Sequence, residues 1–355
     1  MLRLLLATTL CLLIGGCTNI AYYAQAVEGQ IQIMAAARPI SELVKDPATN
    51  SDLRQHLERA IAIREFASSN LALPNNGSYR SYSDLGRPYV IWNVFASPEL
   101  SMESQQWCML FVGCVNYRGY YDKNNAERYA AELSNAGADT YVYGVFAYST
   151  LGHFNDPVLN TYLRLGDQEV ARMTFHELAH QLIFVKDDTE FNESFATMVE
   201  NEGMRRWLTQ VAIPGQLKDF ETHLQREAQF LRLVADCRDK LHSIYTSSMT
   251  SDAKRSAKAE MIAEMKRSYA DLKASWGGYK GYDEWFSRPI NNAVLASVSV
   301  YAQWVPAFHA LLEQEGGNLP RFYQRVVALA HLPKNERTAA FAQLLQRHAA
   351  TSEQT

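Results

Sequence analysis

The pattern His176-Glu177-Leu178-Ala179-His180, followed a short turn later by Asn192-Glu193-Ser194-Phe195-Ala196, constrains this chain more than any other feature. Residues four apart on a helix lie one turn above each other on the same face. His176 and His180 can therefore reach one ion together, while Glu177 leans towards the same cavity. Two neutral imidazoles, with a carboxylate free to take a proton from water, suit zinc. The helix stands on local grounds as well. Gly166-Asp167 offers an N-cap, and Glu169 falls in the first turn, where the dipole favours negative charge. Val170, Phe175, Leu178, Leu182 and Ile183 supply apolar surface to bury. A bare H-E-x-x-H also occurs by chance in buried helices, so the following segment decides between the two readings.

That segment supplies a third ligand. Lys186-Asp187-Asp188 reads as a turn, and a second helix opens at Asn192 with Glu193 in its first turn and Phe195, Met198 and Val199 available for the core. An antiparallel pair of helices returns Glu193 to the histidines. Two histidines and one glutamate leave a fourth position open, as in catalytic zinc sites. Glu200 and Glu202 are rival ligands; Glu200, two turns after Glu193, can instead act on a ligand from behind.

The two motifs together resemble the gluzincin metallopeptidases, whose aminopeptidase members carry a similar N-E-x-F-A element, although the spacing here is shorter than in the large zinc aminopeptidases. The chain is more similar to a bacterial lipoprotein family described as predicted aminopeptidases. That resemblance runs through Trp92-Asn93-Val94-Phe95-Ala96, Trp107-Cys108, Gly113-Cys114, Tyr117-Arg118-Gly119-Tyr120 and Ala147-Tyr148-Ser149-Thr150-Leu151-Gly152. It continues past the zinc motif to Asn291-Asn292-Ala293 and Val305-Pro306-Ala307-Phe308. It implies a zinc metallopeptidase with one Zn2+ per chain and a peptide as substrate.

Residues Met1 to Gly16 read as a secretion signal, with Arg3 followed by an apolar run from Leu4 to Ile14 that is short for a membrane span. Ile14-Gly15-Gly16-Cys17 resembles a bacterial lipobox, which implies that Cys17 is lipidated and that residues 17–20 form the anchored N-terminus; the alternative is an ordinary cleaved signal. Acyl chains hold a soluble domain on a bilayer without a spanning helix. Thr18 in place of aspartate implies the outer membrane, facing the periplasm, so the expected location is the bacterial cell envelope. Residues 21–348 are expected to form a single zinc metallopeptidase domain, and residues 349–355 a flexible tail.

Hydrophobic residues make up 47% of the chain and the net charge is −4, which leaves no basic footprint for nucleic acid. Outside the signal, Cys108, Cys114 and Cys237 remain. An oxidising envelope permits Cys108 and Cys114 to close a small loop as a disulfide. The alternative, metal binding by this pair, lacks a second cysteine pair or nearby histidine to complete a site. Cys237 is expected as a buried thiol.

The coarse pattern is α+β and mostly helical: a small mixed-sheet lobe beside the motif helix, then a helical C-terminal part, a zincin-like arrangement. Ala21–Ala72 reads as helical, with a capped start at Ser51-Asp52. Tyr89–Ala96 and Thr140–Tyr148 read as strands around a helix over Ala126–Leu133. The second strand is a candidate edge for an extended peptide, with Tyr148, Ser149 and Thr150 as substrate-binding residues; a plain strand ending in a polar loop is the alternative. Residues Gln216–Trp276 predict two long helices interrupted at Thr250-Ser251-Asp252, as a wall over the site or a structural bundle. Asn291–Leu312 predicts one further helix, which carries Tyr301.

These residues predict peptide-bond hydrolysis in which Glu177 accepts a proton from the attacking water and passes it to the departing amine. The oxyanion needs a further donor. Gluzincins often take a Tyr or His from a later helix, which points first to Tyr301, then to His309 and His331; among 19 tyrosines, a core role for Tyr301 is the alternative. An aminopeptidase also needs an anion for the substrate's ammonium, for which Glu200, Glu202 or an acid on the strand are candidates. An endopeptidase with the same site, or an envelope lipoprotein that binds zinc without catalysis, are the other readings. An intact Glu177 speaks against the last.

Overall fold

The computed structural model describes residues 22–109, 113–147, 149–299 and 303–352. Cys17, Tyr148 and Tyr301 lie outside the described residues. The architecture is α+β and mostly helical, with small mixed sheets.

The first helical stretch is broken. A helix over residues 22–35 is separated from helix Ser51–Ser69 by a two-residue strand, Arg38–Pro39, and a short helix, Ile40–Leu43. Pro39 lacks the amide that a continuing helix would use. The cap of the longer helix is Asn50, whose side chain accepts from the Asp52 amide, so Ser51 is the first helical residue.

Strand Ile91–Pro98 is the centre of the main sheet, antiparallel to Ala138–Val145 on one side and to Arg118–Tyr120 on the other. Alternate residues Trp92 and Val94 face the helix Lys123–Asn135 through Ala126 and Ala130. Ala138–Val145 is an edge of this sheet, but it is partly covered: Asn291 Nδ2 donates to the Thr140 carbonyl oxygen at 3.0 Å, and Lys258 Nζ reaches Asp139 at 2.6 Å. A second sheet joins Arg38–Pro39, Ser81–Ser83 and Val158–Leu159, the last two in parallel. A third is the hairpin Trp107–Met109 and Gly113–Val115.

The motif helix Asp167–Leu182 packs along helix Thr189–Val211 at the middle of the largest core, where Phe175, Leu178, Phe195 and Val199 are buried. Gly203 sets how closely the two approach. A Cβ there would meet Phe175 Cδ2 at 2.7 Å and Leu71 Cδ1 at 2.8 Å, distances that real side chains do not tolerate. The motif helix is capped by Gly166 with no side-chain cap bond; Asp167 is its first residue and pairs with Arg59 at 3.0 Å.

Beyond the motif helix and its partner Thr189–Val211, Gln216–Thr246 and Ser251–Ser275 form an antiparallel hairpin with its own core, in which Phe230, Val234, Cys237 and Leu241 meet Met265 and Tyr269. Cys237 is a buried free thiol. The single helix expected over Asn291–Leu312 is two, Asn292–Ser299 and Val305–Gln314. Pro306 starts the second, a position where its missing amide costs nothing. The Trp304 amide, at its cap, donates to Ser194 Oγ on the glutamate-bearing helix. The last helix runs Lys334–Ser352, past His348, where the sequence suggested a frayed tail.

Candidate metal centre

The motif helix and the glutamate-bearing helix bring His176, His180 and Glu193 together, with one ligand atom from each residue all within 4.8 Å of one another. His176 Nε2 lies 3.1 Å from His180 Nε2 and 3.4 Å from Glu193 Oε2, and His180 Nε2 lies 3.7 Å from Glu193 Oε1. Bonds of about 2.0–2.1 Å at tetrahedral angles place ligand atoms roughly 3.3–3.4 Å apart. The three separations bracket that value, so the donor set fits a tetrahedral ion such as zinc.

Each residue of the Asn192–Ala196 segment has a structural reason. Asn192, almost wholly buried, stitches the turn shut: its Oδ1 accepts from the Val185 amide and its Nδ2 donates to the Val185 carbonyl, both at 2.7 Å. Ser194 accepts from Trp304 at 3.2 Å, and Phe195 stacks on Phe322 and meets Phe308 edge-on. Ala196 is fully buried. Glu193 is thus the polar residue of the segment left to face the histidines. The helix begins earlier than Asn192, at Thr189. Its cap is Asp188, whose carboxylate also accepts two bonds from Arg337, at 3.1 and 2.7 Å.

Glu200 lies behind the cluster, against His176. Its Oε2 takes a hydrogen bond at 3.0 Å from His176 Nδ1 and its Oε1 one at 2.6 Å from Arg172 Nε. A carboxylate only accepts, so Nδ1 carries the proton and Nε2 keeps its lone pair for a cation. Arg172 in turn holds Glu169 at 2.9 Å. Glu202 turns away to Arg206 at 2.7 Å. His180 Nδ1 is buried with no hydrogen-bond partner among the described residues.

The electrostatics favour a cation. Burial opposes ionisation of Glu193 and Glu200, yet the two imidazoles hold Glu193 well below the usual carboxylate range, and Arg172 with His176 brings Glu200 down to about 2. Burial pulls His176 down, but Glu193 and Glu200 together carry it well above its ordinary value. The cluster attracts positive charge, whether as a proton on His176 or as a metal ion. Glu177 is buried, and burial raises its pKa, opposed by the two histidines and reinforced by Glu193 and Asp156.

Of the residues expected to bind substrate, Ser149 and Thr150 lie in a loop closed by their own hydrogen bonds. Thr150 directs both its amide and its hydroxyl, each at 2.9 Å, to the buried Asp156, and Ser149 Oγ accepts from the Leu151 amide at 3.0 Å. Both residues shape the loop that sets Asp156 near Glu177. His153 is exposed, His309 pairs with Glu313 at 3.3 Å, and His331 ends a helix as an exposed cap. Both carboxylates named for a substrate ammonium are paired, Glu200 with Arg172 and His176 and Glu202 with Arg206, and the acid on the observed strand, Asp139, pairs with Lys258.

Sequence reasoning passed over Arg172, although it lies one turn before His176 on the same face, and Asp156, Tyr79 and Tyr162, whose charges and phenols surround Glu177. It singled out Tyr117 only as part of a longer matching block. Burial raises the pKa of the Tyr117 phenol, and the charges of Glu193 and Glu177 raise it further. Cys108 and Cys114 are bonded to each other and close the hairpin that precedes it.

No curated protein and no solved structure matches the chain. One family model does, over residues 21–341, a span that contains the cluster, both helices that hold it and the surrounding sheets. The chain belongs to that family, which is described as "Putative aminopeptidase".

Proposed function

We propose that this protein is a zinc-dependent aminopeptidase of gluzincin type in the bacterial cell envelope, with His176, His180 and Glu193 as metal ligands and Glu177 as general base. The observation that carries this reading is the set of three donor separations, 3.1, 3.4 and 3.7 Å, at the spacing of tetrahedral coordination. Zinc bound there would supply a Lewis acid that acidifies an attacking water and polarises the scissile carbonyl. Glu177 takes the proton from that water. Its carboxyl, raised above its ordinary pKa by burial, is suited to accept that proton and return it to the departing amine. Glu200, fixed by Arg172, keeps the His176 ring in the orientation and tautomer that ligation needs.

The choice of aminopeptidase over endopeptidase rests on the family. The envelope location rests on the apolar leader that ends at Cys17, where a lipid would attach, and a disulfide suits an oxidising compartment. No helix among the described residues is long and apolar enough to cross a membrane.

The test is hydrolysis of paired peptides by the zinc-loaded mature chain, one with a free and one with an acetylated N-terminus. Cleavage of the free peptide alone is expected. Equal cleavage of both would make the enzyme an endopeptidase, and cleavage of neither, with zinc bound, would favour a non-catalytic zinc-binding lipoprotein.

A further inference from the structure

The helix over residues 22–35 is apolar on two opposite faces. One face packs on the rest of the protein. Gly29 is buried against the ring of Tyr121, where a Cβ would fall 2.2 Å from the ring carbon Cγ, and Ile33 belongs to the largest core. Gln25 Oε1 accepts from the Tyr121 amide at 3.0 Å, and the Tyr22 ring meets that of Tyr120 edge-on at 5.7 Å. The opposite face carries Ala24, Val27, Ile31 and Ala35, all exposed and recurring at helical spacing. Val27 and Ile31, at 59% and 61%, are the two most exposed large apolar side chains among the described residues, and they stand one turn apart. Glu28 borders this ridge, with Gln32 hydrogen-bonded to it at 3.3 Å, and it is the one charged residue of the helix.

A helix at the surface of a soluble protein keeps a polar face to water, whereas one that is apolar all round is covered on every side. The chain itself says what covers this one. Cys17, the residue proposed to carry the lipid, precedes Tyr22 by five residues, and five extended residues reach at most about 18 Å. A lipid at Cys17 therefore holds the start of the helix beside the bilayer. Tethering raises the effective concentration of lipid surface at the ridge, so a small apolar area suffices where a free protein would need more. A second copy of the chain has no comparable tether to bring it to this face. Fourteen residues of helix span about 21 Å, and no helix among the described residues is long and apolar enough to cross a membrane, so this one lies along the surface.

We propose that the outer face of this helix, formed by Ala24, Val27, Ile31 and Ala35, docks on the lipid bilayer that anchors Cys17, with Val27 and Ile31 entering the boundary between headgroups and acyl chains. The helix then fixes which side of the protein turns towards the membrane, where a bare tether would leave it free to rotate. This docking rests on the lipid at Cys17 and is independent of the peptidase chemistry.

The experiment uses the mature chain, with acylation of Cys17 checked by mass spectrometry, reconstituted on vesicles of phosphatidylethanolamine and phosphatidylglycerol. An environment-sensitive dye is placed at Ala24→Cys or, as a control, at Asp271→Cys, an exposed position on the helix Ser251–Ser275. Cys108 and Cys114 are bonded and Cys237 is buried, so the introduced thiol takes the dye. On vesicles the dye at residue 24 is expected to shift its emission to the blue and to be quenched by spin-labelled lipids, and the dye at residue 271 to do neither. Val27→Gln with Ile31→Gln, added to the Ala24→Cys chain, should abolish most of the shift while the acylated protein still sediments with the vesicles. A water-like emission at residue 24 in vesicle-bound protein, or a shift that survives the double substitution, would overturn the docking. So would a shift that appears without vesicles as protein concentration rises, which would make a second copy the occupant. A mature chain without acyl groups on Cys17 would remove the anchor and the docking with it, and none of these results bears on peptide hydrolysis.

Discussion

The two ligand helices and the neighbouring hairpin are held in different ways. The helices are fixed from inside: Phe175, Leu178, Phe195 and Val199 are buried, Asn192 closes the turn, and the buried Asp188–Arg337 pair ties that turn to the last helix. The hairpin at Trp107–Val115 is held by a covalent bond, a ring contact at Trp107–Tyr129 and a hydrogen bond to Asp187. A metal site needs ligand atoms placed to a fraction of an ångström, which a close-packed interior provides. The hairpin, by contrast, is positioned by that disulfide and by a few contacts to the turn and to Tyr129.

Changes in the helix pair should therefore cost more than changes in the hairpin. Glu177→Gln, which keeps the shape of the side chain, is expected to retain zinc and lose activity by about 10²–10⁴-fold; steady-state kinetics with metal analysis checks it. Arg337→Ala removes the buried guanidinium from Asp188, leaves that carboxylate only Lys334, at 3.7 Å, as a cationic partner among the described residues, and is expected to destabilise the fold by up to about 3–5 kcal/mol in denaturant titrations. Cys108→Ser with Cys114→Ser removes a constraint on a short loop of the unfolded chain, for a loss of about 2–3 kcal/mol, with zinc affinity unchanged. A double variant that lost zinc would break the comparison, because the hairpin would then be part of the ligand scaffold.

Glu200→Gln should weaken zinc binding by about 10–100-fold in competition with a chelator. It should also alter acid stability in the metal-free protein. Burial raises the Glu200 carboxyl, but Arg172 and His176 outweigh it and lower it from 4.5 to about 2. A group whose folded pKa is depressed stabilises the fold above its unfolded value and loses that contribution as pH falls through the folded one. Wild type should lose stability between pH 4.5 and about 2 more steeply than Glu200→Gln.

What could be seen in advance follows the same division. His176, Glu177 and His180 announce their shared face through helical spacing alone, and the long hairpin Gln216–Ser275 shows in its recurring apolar residues. Strands of two or three residues, such as Arg38–Pro39 and Val158–Leu159, carry too little alternation to register and exist only through partners far along the chain. The turn before Val305 was hidden because the surrounding residues are largely apolar, and only Pro306 marks the restart. No local pattern at Thr150 shows that Asp156 accepts from both its amide and its hydroxyl. Gly113-Cys114 was in view as a motif, but its docking at Asp187 is a contact between distant segments that no local pattern shows.

The most direct test of the metal centre is the zinc content of the purified mature chain after dialysis, measured for wild type, Glu177→Gln and Glu193→Gln. About one zinc per chain is expected in wild type and in Glu177→Gln, with marked loss in Glu193→Gln, as an open three-ligand site requires. Wild type without zinc, or Glu193→Gln with a full complement, would contradict the site described.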